Sequence, residues 1–156
     1  MSTLFGTITC RRKEKTVPIK NYTTKIEADQ SLAEIQFNLV RNGAEKIMVD
    51  YDDGMPTGIC FAIKTDHGIQ GFALPANIPG VRKVFEKQSI KVDDNQVRRT
   101  AWRNVRDWVM AQMAFVEAGN VQTDEVFLPY LTNGRQTLYE AYRDGQLLLP
   151  GGAENG

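Results

Sequence analysis

The chain has 156 residues, 42% hydrophobic and 24% charged, with 19 basic and 19 acidic side chains and no formal net charge. That length buries roughly two thirds of the unfolded surface, so one domain can form without disulfides or metal. Neutrality argues against the broad basic footprint of a dedicated duplex-DNA binder. The longest apolar runs, such as Leu147-Leu148-Leu149, fall far short of the ~20 residues of a membrane helix.

The N-terminus lacks a basic region followed by an apolar core, so no secretory leader is expected. Cys10 and Cys60 match neither a CxxC pair nor a zinc pattern, and are expected as reduced thiols in a cytoplasm. The charges fall in alternating blocks. Residues 1–25 carry six bases and one acid, and 26–80 carry eight acids and three bases. Residues 81–110 carry eight bases and four acids, and 111–156 carry six acids and two bases. A small basic site on a neutral protein is compatible with this pattern.

Residues 1–25 read as a basic N-terminal extension, with a strand from Leu4 to Thr9 and the solvated run Arg11–Lys15. The first helix starts near Asp29 or Ser31. Ser31-Leu32-Ala33-Glu34 has the pattern of a capping box, and Leu32, Ile35, Leu39 and Val40 recur at helical spacing. Asn42-Gly43 ends it. Alternation then predicts three strands, Lys46–Tyr51, Ile59–Thr65 and Ile69–Leu74, separated by a turn-rich loop at 52–58 and a tight turn at Asp66-His67-Gly68. Short connections make this an antiparallel meander.

Pro79 opens a short helix carrying Val81, Val84 and Phe85. After a polar link, a long helix runs from about Asp94 to Ala118, closed by Gly119-Asn120. Its apolar stripe, from Val97 to Val116, is wider than a three-stranded sheet can cover, which predicts self-association through this helix. A turn at Asn133-Gly134 and a short helix at Thr137–Arg143 follow. Leu147–Pro150 is expected to dock, and 151–156 to form a disordered tail. The layout is one α+β domain over 26–150: a three-stranded antiparallel meander packed with an N-terminal helix and a long C-terminal helix.

No catalytic constellation stands out, and the chain is expected not to be an enzyme. The single histidine, His67, falls in a hairpin turn, away from any nucleophile pattern. Asp50, Asp52 and Asp53 form the densest carboxylate cluster. An EF-hand starting at Asp50 would need glycine and glutamate where Met55 and Phe61 stand. A two-strand nuclease core would need an acid at Ala62, two places before Lys64. No phosphate-binding glycine loop or dinucleotide fingerprint is present. Neither metal nor cofactor is expected.

One constellation has binding chemistry. Arg99, Arg103 and Arg106 share a face of the long helix, with Arg98 and Trp102 on its flank. Arginine grips phosphate bidentately, and arginine and tryptophan both stack on bases. The competing reading is an ordinary wet helix face with core tryptophans, in which Arg103 pairs with Asp107 at i,i+4.

Several segments together carry a resemblance. They are Thr23-Thr24-Lys25-Ile26, Asn42-Gly43-Ala44, Phe61-Ala62-Ile63, Phe72–Asn77, Ala101-Trp102-Arg103 with Asp107-Trp108, Glu125–Leu131 and Leu138-Tyr139-Glu140. Their order and spacing over 22–150 resemble a family of small uncharacterised phage and prophage proteins. The resemblance implies a phage accessory protein acting in host cytoplasm; it supplies no site residues. Three expectations follow: a homo-oligomer that sequesters a nucleotide immune signal, a single-stranded nucleic-acid-binding accessory protein for phage replication or recombination, or a protein-only inhibitor of a host defence enzyme.

Overall fold

The computed structural model describes residues 17–146. The expected strand at 4–9, the basic run Arg11–Lys15, Cys10, the Leu147–Pro150 segment and the tail lie outside these residues. The elements are α1 (Ala28–Arg41), β1 (Ala44–Asp52), β2 (Met55–Thr65), β3 (Gly68–Pro75), α2 (Ile78–Lys87), α3 (Asp94–Glu117), α4 (Thr123–Phe127), β4 (Leu131–Thr132) and α5 (Leu138–Arg143). A single 3-10 turn, Leu128–Tyr130, joins α4 to β4. The α+β class stands, and among the described residues the sheet has four antiparallel strands in the order β1-β2-β3-β4 rather than three. The added strand is two residues long, pairing Thr132 with Gly71 and Leu131 with Phe72. Two residues are too few to show a period.

The first hairpin is tighter than its composition suggests. Asp52 pairs with Met55, leaving only Asp53-Gly54 as the turn. Both adopt positive φ, at 50° and 74°, the backbone a two-residue hairpin turn requires. Met55–Gly58 therefore belongs to β2 rather than to a loop. Pro56 fits there because it faces Tyr51 at a register irregularity beside Asp50, where a missing N–H is tolerated.

Helix α1 begins three residues before the serine that looked like its cap. Glu27 is the N-cap residue, with no side-chain cap bond. Ser31 is buried inside the helix. Its Oγ accepts from Arg103 Nη1 at 3.4 Å, and Glu34 turns outward to the same arginine. The S-x-x-E spacing arises because both residues face α3. By contrast, α3 has a true cap, with Asp93 Oδ1 accepting from Gln96 N at 2.8 Å.

One face of the sheet presents Ile59, Phe61, Ile63, Phe72 and Leu74 to α1, α3 and α4, with Trp102, Val109, Met113 and Phe127 closing the core. Phe61 stacks on Phe72 at 5.5 Å and meets Phe127 edge-on at 5.0 Å. A second cluster, Val81, Phe85, Val97 and Ala101, joins α2 to the start of α3. The wide stripe of α3 is thus divided between two cores, with Val105, Trp108 and Val116 packed on the first. Phe115 is the part left exposed. The stripe is therefore not the surplus surface on which self-association through this helix was expected.

Residues 17–25 belong to the folded unit instead of forming a free extension. Gln88 Oε1 accepts from Ile19 N at 3.0 Å, and Gln96 Nε2 donates to the carbonyls of Tyr22 and Thr24. Asn21, in the left-handed region at φ 64°, donates to Asn104 and Asp107 at 2.8 and 2.9 Å. These bonds strap the segment across α3 and the end of α2. Among the described residues no helix is long and apolar enough to cross a membrane.

Candidate functional site

Helices α1 and α3 run parallel, and the arginine stripe lies along their seam. Arg99 Nε donates to Glu27 Oε1 at 3.0 Å. Arg103 Nη1 bonds Glu34 Oε2. Arg106 Nε lies 3.4 Å from that same oxygen, charge-paired but without a hydrogen bond, while its Nη1 donates to Asp107 Oδ1 at 3.0 Å. Arg41 and Glu117 end the row at 3.8 Å. Asp107 is thus paired with Arg106 and Lys20, not with Arg103, because Arg103 points across to α1. The three arginines are ladder rungs between two helices, with Arg103 only 13% exposed.

Trp102, the aromatic partner in the expected ligand site, is enclosed. It has no exposed surface, and its Nε1 donates to the Pro56 carbonyl at 3.1 Å. With both ring faces in the core, it cannot stack on a base in this structure. Arg98 stands apart from the other four. It has no ion-pair partner among the described residues, and its buried Nε meets no acceptor.

Asp107 fastens the N-terminal strap to this ladder. Burial pushes its carboxyl upward, but hydrogen bonds from Asn21, Arg106 and Lys20 outweigh burial and hold it below the ordinary carboxylate value. A depressed carboxylate stabilises the fold fully above its unfolded value, near ~3.9, and the contribution disappears as pH falls through the lower folded value. Acidification from about pH 5 toward about pH 2 is therefore expected to release the strap. Hydrogen-exchange protection at Tyr22–Lys25, taken relative to the intrinsic rate at each pH, should fall across that window, and Asp107→Asn should keep protection there low at every pH.

A cleft with an aromatic wall lies on the other side of α3. About 370 Å³ in volume, it opens between the end of β3, the start of α2 and the turn before β4. Leu74, Pro75, Val81, Val105, Trp108 and Tyr130 form its apolar wall, and the amides of Asn77 and Asn104 its polar points. Trp108 and Tyr130 meet edge-on at 5.6 Å, and Trp108 is braced from behind by Phe127 at 5.8 Å. Pro75 and Tyr130 also border a second concavity of about 380 Å³, lined by Pro129, Thr137, Tyr139, Glu140 and Arg143. The two adjoin, with Pro75 and Tyr130 lining both. A larger depression of about 510 Å³ between α2 and α3 is less suited to a ligand. Loop residues form much of it, and its Arg82 is bound to Asp94 at 2.6 Å.

Sequence reasoning named Trp108 but did not join it to Tyr130, Pro75 or Asn104. No spacing rule links these positions; the β3–α2 junction and the turn after α4 bring them together. The acidic residues of the β1–β2 hairpin form no cation cage, and among the described residues no group of three or more His, Cys, Asp or Glu side chains is placed to hold a metal. Cys60 Sγ lies 3.5 Å from Asp50 Oδ2; burial, then the Asp50 charge and hydrogen bond, push its thiol up, which disfavours the nucleophilic thiolate. Compared with known proteins, the chain matches no family model, no curated protein and no solved structure.

Proposed function

We propose that this is a non-catalytic binding protein that takes an extended peptide segment of a protein partner in the Trp108–Tyr130 groove. One observation carries the reading: two adjoining concavities share Pro75 and Tyr130 in their linings, the first lined without any charged side chain. Grooves of this kind accept apolar or proline-containing peptide residues, with amides such as Asn77 and Asn104 fixing the backbone. Glu140 and Arg143 in the second concavity would then select charge further along the peptide. This favours the protein-only inhibitor among the three expectations, and the phage resemblance supplies its setting, the cytoplasm of an infected cell.

Nucleotide sequestration keeps one supporting observation, Arg98, which has no ion-pair partner among the described residues. Its other expected contacts, Arg99, Arg103 and Arg106, would have to leave carboxylates to reach a phosphate, and this ranks it second. The single-strand reading needs the same arginines, the exposed base-stacking surface that Trp102 lacks, and the basic arm Arg11–Lys15, which lies outside the described residues.

The test is a titration followed by amide NMR, using peptides selected by display against the folded protein and, separately, cyclic dinucleotides. Peptides are expected to shift Ala76, Asn104 and Tyr130, and Tyr130→Ala should weaken them about tenfold or more. Cyclic dinucleotides should leave these signals in place. Shifts centred on Arg98 and abolished by Arg98→Gln would instead support sequestration. Selected peptides that bind elsewhere, or bind Tyr130→Ala as well as the parent, would remove the groove reading.

A further inference from the structure

β1 ends the sheet. It pairs with β2 on one side and, among the described residues, with nothing on the other. The opposite edge, β4, is two residues long, the usual way to blunt a sheet edge. β1 is nine. Its register irregularities fall at Ala44/Lys46 and Asp50/Tyr51, leaving Lys46–Asp50 as a straight run against Gly58–Ala62.

That run is self-complementary. Lys46, Met48 and Asp50 point to the open face of the sheet, and Ile47 and Val49 to the core face. We propose that the β1 edge is closed by a second copy of this chain, antiparallel about a two-fold axis through Met48. In this register Lys46 faces the Asp50 of the second copy, twice by symmetry. Met48 faces itself, and Ile47 faces the Val49 of the second copy. Shifting the axis to Lys46 or to Asp50 sets like charge against like charge, which is unfavourable between directly opposed residues.

Three exposures agree with this interface. Met48 is 62% exposed although it sits mid-strand. Ile47 and Val49 pack on the core but are only partly buried, at the edge strand of the described residues. Val40 lies half a turn from Ser31, hence on the flank of α1 turned away from α3, and is 59% exposed. Pairing would cover the strand residues and bring the Val40 flanks toward each other above the joined sheet. The inference is independent of the groove, which lies at the far side of α3.

The full chain is expected to sediment as a dimer at micromolar concentration. Lys46→Asp turns two attractions into two repulsions and should weaken dimerisation about tenfold or more. Asp50→Lys should do the same. The double exchange Lys46→Asp/Asp50→Lys should restore the dimer, because it re-forms the pairs with their signs reversed. Lys46 and Asp50 lie on one strand, too far apart to pair within a chain, so a rescue identifies contact between copies. Circular dichroism checks that each variant folds. A monomeric parent up to about 100 µM, including one whose residues 1–16 occupy the edge, overturns the proposal. So does a double exchange that fails to restore association.

Discussion

Trp102→Ala is expected to cost about 3–5 kcal/mol, the range for truncating a fully enclosed large aromatic. Trp102 has no exposed surface and lies in the core cluster with side chains of α1 and the sheet. The truncation also strands the Pro56 carbonyl, which now accepts from the indole at 3.1 Å. Against a total stability of roughly 5–15 kcal/mol, the loss takes the protein close to unfolding at ordinary temperature. Trp102→Phe separates the two contributions. It keeps most of the apolar volume and leaves the carbonyl unpaired, at a cost of about 1–3 kcal/mol. Urea denaturation of both variants measures the split. If Trp102→Ala lost under ~1 kcal/mol, the residue would not be central to the core, and its burial would not exclude a ligand role.

Glu34→Gln is the second large effect. One carboxylate serves Arg103 and Arg106, so its neutralisation leaves two guanidinium groups in a seam where Arg103 is almost enclosed. Bonds to charged groups contribute roughly 1.5–3 kcal/mol, and breaking a well-buried pair costs more. Glu34 itself is one-third exposed, which holds the expected loss to about 2 kcal/mol. Arg99→Gln, whose partner Glu27 is mostly exposed, should cost no more than about 1 kcal/mol. Read as a wet helix face, the stripe would give changes within about ±0.5 kcal/mol at all three arginines. The ladder gives a graded series, steepest at Arg103. A flat series in thermal or urea unfolding would mean the rungs contribute nothing and the arginines are available to phosphate.

The sequence showed most of the elements. Apolar spacing located α1 and α3 within a few residues, and alternation found the three long strands, because each signal repeats over several periods. The turn at Asp53-Gly54 blended into its polar surroundings, and β4 was too short to repeat anything. Ser31 and Glu34 mimicked a cap because i and i+3 share a helix face, and a pair aimed at a neighbouring helix has the same spacing as a pair aimed at the backbone. The stripe of arginines was correctly located and its neighbours were not. Whether a guanidinium faces water or Glu34 depends on which helix packs beside it, and Glu34 stands 69 positions away. The groove was invisible for the same reason, since Pro75, Trp108 and Tyr130 share no local period.

The parallel seam of α1 and α3 also has a kinetic consequence. Two parallel helices cannot be joined by a short turn; the chain must return to the starting end, and here the meander and α2 form the return path. The rungs Glu27–Arg99 and Glu34–Arg103 close loops of 72 and 69 residues. The strap bonds from Asn21 to Asn104 and Asp107 close loops of 83 and 86. Loop closure must precede the reward of such contacts. The β hairpins, with turns of two residues, can form in microseconds on their own. The seam and the strap are then last to assemble, and folding is expected in the millisecond-to-second range typical of distant pairings rather than at the speed of a helical bundle.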